Sequence, residues 1–442
     1  MFINKQLLSI VVLGALSLNV TLFSNKVVAA EKESVTKRQS VKVPAMRNRV
    51  YAQLARAQKL ADDGDKIAGF DVLDDVKDSI DSLNSYEKAM LWNFYGFMYY
   101  ANDDIDNAID SFQQLIALQA IPQSLYLSTL YSLTQLAMQQ QHYSQALAFL
   151  QQWKANNAKK ITASQQILFA QIYYQTKQYK QSVTYINSAI LMVESKNKIA
   201  KENWLVLQRA DYYALKQPKQ VTKVLEKLVR LYDKAQYWLQ LSAMYGEIGQ
   251  EDKQLAVMEA AYQAGYVTKS NDITSLAQMY LYHGAPYKSA ALLDEALAKG
   301  TVKAEQKYLN LLAQSYLAAK EPAKAIPVLQ QVSKIVDTGK FDAQLAQTYL
   351  NMEQWQQAIK FAEKAIQRGG FGQLGTTYLV QGMAHFNLQQ FEPALTAFTH
   401  AEKINNSKKM AQQWRKYVVR EQGYQQRLAQ VKLAQQENSE NL

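Results

Sequence analysis

The side chains that could carry catalysis or bind a metal are few and widely separated. The four histidines, His142, His283, His385 and His400, never stand in an HxxxH or HExxH arrangement that would bring two imidazoles onto one helical face for zinc. With no cysteine in 442 residues, there is no thiolate ligand, disulfide or cysteine nucleophile. No GxSxG elbow presents a serine. Gly370, Gly372 and Gly375 spell GxGxxG, the spacing that lets a backbone approach a pyrophosphate. That use needs a strand before the glycines and a helix after them; a helical pattern precedes these, so they read as a corner between elements. Asp62, Asp63, Asp65, Asp74 and Asp75 lack the spacing and closing Glu of an EF-hand loop. The expectation is no enzyme, no cofactor and no metal.

Amides and phenols recur more regularly. Gln135, Gln171, Gln278, Gln314 and Gln347 occupy the same place in a repeating pattern, and a row of primary amides can both donate to and accept from the backbone of an extended ligand. Tyr131, Tyr174, Tyr213 and Tyr282 stand near them and offer stacking or proline-packing surfaces. These nine residues are the candidate protein-binding groove. Gln is also a good helix former on any exposed face, which is the competing explanation for the row.

The elements that would position them follow from side-chain bulk. Counting residue 89 as position 1, copies of one pattern begin near 127, 163, 202, 235, 270, 306, 339 and 375, with a weaker copy near 49, a mean spacing of about 36 residues. Position 11 is Tyr in Tyr99, Tyr173, Tyr212, Tyr245, Tyr280, Tyr316 and Tyr349, with Ala137 and His385 in the other two clear copies. Position 8 is small, as in Gly96, Ala170, Ala313 and Gly382, with Arg209 the exception; position 20 is small in Ala108, Ala146, Ser182, Ala325 and Ala394. Helical periodicity puts positions 4, 7, 8 and 11 on one face and 20, 24 and 27 on the facing one, so each copy predicts two antiparallel amphipathic helices. Pro218, Pro286 and Pro322 all fall at position 17, where a second helix opens and a missing N–H costs little. The recurring Gln is position 9.

This pattern resembles the tetratricopeptide repeat over residues 49–408. The resemblance implies an all-α fold: a right-handed α-solenoid of about ten TPR-like hairpins, a concave groove lined by the first helix of each, and a C-terminal capping helix. The family's Lys and Asn clamp for a terminal carboxylate is missing; Lys307 and Asn310 alone do not form one.

Charge and the chain start bear on location and partners. The 49 Lys and Arg against 38 Asp and Glu give +11, unevenly spread. Residues 62–110 carry twelve Asp and Glu87 against Lys66, Lys77 and Lys88, whereas 407–436 carry seven basic side chains against Glu421. Basic residues do not alternate with aromatics in one stripe, so nucleic acid is not expected. Lys5, the apolar run Leu7–Leu18 and the small residues Val28, Ala29 and Ala30 predict a secretory signal over 1–30. The expected organisation is then a flexible basic segment at 31–48, the repeat array at 49–408, and a capping helix with a basic tail at 409–442, in a periplasmic chain without a stable membrane span once the signal is removed.

The layout further resembles the periplasmic repeat proteins that accompany TonB energy-transduction systems of Gram-negative bacteria. An exported start is followed by an opening helix with Arg49, Val50 and Tyr51, then the repeats, then the closing block Trp414-Arg415-Lys416-Tyr417-Val418-Val419-Arg420-Glu421. That resemblance implies a scaffold or adaptor for iron uptake acting by contact, with protein partners such as TonB-like periplasmic segments rich in Pro and Lys. Asp71, Asp74, Asp75 and Asp78 are the expected acidic docking surface. The alternative is an envelope-assembly or polysaccharide-export module.

Overall fold

The computed structural model describes residues 42–440, so the expected signal segment and residues 31–41 lie outside the described residues. Among the described residues there are twenty-one α-helices, one 3-10 turn at Ile80–Ser82 and no strand. None of these helices is long and apolar enough to cross a membrane.

The chain divides into two compact units between Ile161 and Thr162. The first holds three hairpins: α1 (Asn48–Asp62) with α2 (Lys66–Asp78), α3 (Ser85–Ala101) with α4 (Ile105–Ala117), and α5 (Gln123–Gln139) with α6 (Tyr143–Asn156). The second begins with α7 (Ala163–Gln175) and α8 (Tyr179–Glu194), α9 (Glu202–Ala214) and α10 (Pro218–Tyr232), α11 (Ala235–Glu247) and α12 (Glu251–Gln263). It continues with α13 (Ser270–Tyr282) and α14 (Pro286–Ala298), α15 (Gln306–Ala318) and α16 (Pro322–Ile335), α17 (Lys340–Asn351) and α18 (Trp355–Arg368), α19 (Leu374–Asn387) and α20 (Phe391–Glu402). The long α21 (Lys408–Glu440) follows. Each hairpin packs on the next within its unit, so the fold is the expected all-α solenoid architecture, with three TPR-like hairpins in the first unit, seven in the second and a C-terminal helix laid over the last.

Complementary volumes hold each hairpin closed. A Cβ added to Gly96 would lie 2.5 Å from the Phe112 ring, and one added to Gly382 would lie 2.6 Å from Phe398. Apart from Arg209, the other copies have Ala, Ser or Thr at position 8, where position 24 is smaller than Phe: Ala170 goes with Ile186, Ala313 with Leu329 and Ala346 with Ala362, all buried. Glycine and phenylalanine therefore trade volume across one close approach, as dense interior packing requires.

The turns repeat as faithfully as the core. Position 15 has positive φ in every clear copy, at Asp103, Gln141, Lys177, Lys216, Gly249, Gly284, Lys320, Glu353 and Gln389. There the backbone closes a Schellman pattern, as when the Gln178 N–H donates to the Tyr173 carbonyl at 2.7 Å and the Lys177 N–H to Tyr174 at 2.9 Å. Seven of these nine are not glycine, so each such turn carries a backbone cost of about 1 kcal/mol, offset by the hairpin it closes.

Candidate protein-binding surface

Within the second unit the first helices α7 and α9, α13 and α15, and α17 and α19 touch one another directly, as α1 and α3 do in the first unit. Position 9 lies one residue beyond the buried small position 8 and turns to solvent. Gln135, Gln171, Gln278 and Gln314 are exposed, and Gln347 is half-buried. Two of these amides are engaged on their own helix: Gln347 Nε2 donates to Asn351 Oδ1 at 2.9 Å, and Gln314 Nε2 reaches Asn310 Oδ1 at 3.4 Å.

The four tyrosines divide into pairs. Tyr213 and Tyr282 are 67% and 74% exposed and stand clear on α9 and α13. The Tyr282 phenol is held above its ordinary range by a hydrogen bond to Glu251, and its ring lies edge-on to His283 at 5.3 Å. Tyr131 and Tyr174 are half-buried. Tyr131 packs its ring 5.8 Å from Trp153, and Tyr174 meets Tyr179 edge-on at 5.5 Å; burial raises both phenols. The face available to a ligand in the second unit is thus Gln171, Tyr213, Gln278, Tyr282 and Gln314. In the first unit Phe97 and Tyr100, at positions 9 and 12 of α3, are half-exposed, with Phe97 in the column that Gln135 occupies on α5.

A second repeated device emerges only in three dimensions. The Tyr245 hydroxyl donates to Glu226 of the preceding hairpin at 2.6 Å while Lys253 sits 5.5 Å above the ring. Tyr280 pairs in the same way with Glu259, with Lys288 at 5.4 Å above the ring and 2.6 Å from the Glu259 carboxylate. Tyr316 repeats it with Asp294 and Lys324. Burial, then the neighbouring carboxylate, push Tyr245 and Tyr316 up to about 12. The signal is a column of acid at position 25, Tyr at 11 and Lys at 19, legible only once copies are aligned in pairs. These rungs clip successive hairpins together. In the last hairpin His385, Pro393 and Ala397 stand where Tyr, Lys and a bulkier side chain would be, which leaves a cleft of about 490 Å³ bordered also by Tyr378 and His400.

The acidic stripe lies on one helix. Asp71, Asp74, Asp75 and Asp78 are exposed at i, i+3, i+4 and i+7 of α2. Asp74 is also structural: it accepts the Tyr95 hydroxyl. No group of three or more His, Asp or Glu among the described residues is placed to hold a metal ion. The GxGxxG glycines fall in the turn between α18 and α19, with Gly375 inside α19 backed against Ser407, so a helix precedes them and no βαβ unit exists among the described residues.

No family model matches the chain, and no curated protein matches it. Among solved structures it is similar to the TPR protein YrrB, whose structure is described as having an unusual peptide-binding site, at 13% identity over 44% of this chain and 99% of that one, with a TM-score of 0.36. A tetratricopeptide repeat protein from Parabacteroides merdae matches at 11% identity over 75% of this chain and 99% of its own, with a TM-score of 0.32. The TPR domain of P58(IPK) matches at 14% identity over 77% and 99%, with a TM-score of 0.24. Similarity at this level carries no weight beyond the hairpin architecture, which the helices themselves display.

Proposed function

We propose that this chain is a scaffold that holds an extended protein segment along the first-helix face of its second unit. The observation that carries the reading is the exposed row Gln171, Tyr213, Gln278, Tyr282 and Gln314, in which amides suited to backbone pairing alternate with phenols suited to packing on a peptide. A row that pairs with main chain rather than with particular side chains binds by length and extension, and each well-packed Tyr adds affinity as an aromatic anchor does.

The narrower reading places the scaffold in the periplasm as part of a TonB-dependent iron-uptake system. It is supported by the signal-like start and by the acidic stripe of α2, which suits a Lys-rich segment. Attraction there raises the association rate and weakens with salt. The test is growth on a scarce iron chelate. Deletion of the chain should slow growth only under iron limitation, with restoration by the wild type and not by Tyr213→Ala/Tyr282→Ala. Normal growth on the chelate together with loss of surface polysaccharide would favour the export reading instead.

A further inference from the structure

The C-terminal helix has two halves of different character. From Lys408 to about Gln422 it is docked: Ala411 and Val418 are fully buried, Trp414 stacks on Phe398 at 5.6 Å, and Gln422 donates to Glu392 of α20 at 2.9 Å. Beyond Gly423, whose added Cβ would meet nothing within 4 Å, every described side chain through residue 435 is exposed. At 1.5 Å per residue the segment from Tyr424 to Glu440 continues for about 25 Å. A helical extension of this length is marginal in water without a surface to pack on. It nevertheless carries Tyr424, Leu428 and Val431 at i, i+4 and i+7, 50%, 37% and 53% exposed on one stripe. Arg420, Arg427 and Lys432 flank that stripe.

Charge selects what can cover it. Residues 416–432 contain Lys416, Arg420, Arg427 and Lys432 against Glu421 alone, so pairing α21 with another α21 would juxtapose like charges. Three apolar side chains are few for lasting insertion at a lipid surface. The chain itself holds a complementary surface. On α2 the stripe Asp71, Asp75 and Asp78 begins one turn after Ile67, which is 78% exposed. Lys66 Nζ donates to the Ala101 carbonyl at 3.2 Å, so the first turn of α2 lies against the end of α3, where Tyr100 is 51% exposed. Apolar side chains flanked by acids thus face the composition of α21 with the sign reversed.

We infer that the protruding half of α21 docks on the acidic α2–α3 surface of a second copy of this chain. The inference rests on that acidic stripe being a docking surface for a basic segment, and it names the segment. The two surfaces differ, so the contact is heterologous and propagates into rings or open chains.

The test is sedimentation velocity of the chain from Glu31 across a concentration series, at low and at high salt. Self-association that rises with concentration and falls with salt is expected. Arg427→Glu/Lys432→Glu should weaken it at least about tenfold, and so should Asp71→Lys/Asp75→Lys/Asp78→Lys, while mixing the two reversed variants restores association. Tyr424→Ala/Leu428→Ala should weaken it without altering the salt dependence. Helical content measured for each variant guards against a folding failure. The inference is overturned by a monomer at every concentration, by association that neither charge reversal affects, or by α21-dependent binding to anionic phosphatidylglycerol vesicles without self-association. If the Asp reversals abolish binding of a Lys-rich peptide yet leave self-association intact, the inference falls while the docking reading stands.

Discussion

Two buried aspartates in the second unit make opposite bargains with their surroundings. Asp342, on α17, is fully buried and meets Arg368 at 2.8 Å and Lys364 at 2.9 Å, with the Ser333 hydroxyl at 2.7 Å. Asp211, on α9, is as deeply buried and has Ser182 at 2.7 Å, but its Oδ1 finds no partner. Arg209, on the same helix, turns to Gln240 on α11 instead, and the nearby Tyr174 of α7 is neutral at ordinary pH. The Ser182 Oγ also lies 2.8 Å from the Ala170 carbonyl. One hydroxyl proton cannot serve two acceptors, so both contacts are satisfied when Asp211 itself carries a proton and donates to Ser182. Burial pushes the Asp211 carboxyl up to about 7, against the opposing pull of the serine. An aspartate in a helical stack is thus a clamp where cations reach it and a proton-dependent joint where they do not.

Removing the cations from the first site should produce the largest effect. Arg368→Met/Lys364→Met strands the Asp342 carboxylate and should cost about 3–5 kcal/mol by chemical denaturation, with much of the loss recovered when Asp342→Leu is added. At the second site the sign is reversed. Because the folded-state pKa of Asp211 is raised, its contribution is fully present below the unfolded value near 4 and is lost as pH rises to about 7. Asp211→Asn should therefore stabilise the protein at pH 8 by up to about 4 kcal/mol and flatten the decline of stability between pH 4 and 7, as measured by urea unfolding across pH. Ser182→Ala should cost about 1 kcal/mol, because the Ala170 carbonyl and Asp211 both lose their hydroxyl partner. Lys364→Met should cost under about 1 kcal/mol, because this half-exposed amine leaves Arg368 in place. Equal pH dependence in Asp211→Asn and the wild type would erase the distinction between the two sites.

How far such features can be read from sequence depends on where their partners lie. The ten hairpins are legible because bulk alternates locally: Gly96 with Phe112 and Ala313 with Leu329 fall within one repeat and in one register. The left-handed turns are hidden because Lys177, Lys320, Glu353 and their equivalents sit where glycine would have announced them. Asp342 occupies a column that is apolar in every other clear copy except for Gln166, and its cations come from the following helix, 22 and 26 residues away. The Gln row was visible as a column, but whether a phenol faces solvent was not. Tyr131 and Tyr174 turn toward Trp153 and Tyr179, rings supplied by the second helices of their hairpins, whereas Tyr213 and Tyr282 meet no such ring.

The reading of the molecule as a scaffold turns on that exposed first-helix face, and site-specific photocrosslinking in intact cells tests it most directly. A photoreactive residue introduced at Tyr213 or Tyr282 should trap a protein partner, while the same residue at Lys223, exposed on the second helix of its hairpin, should trap little. Capture at Lys223 equal to that at Tyr213 and Tyr282, or no adduct from either tyrosine position, would contradict the account.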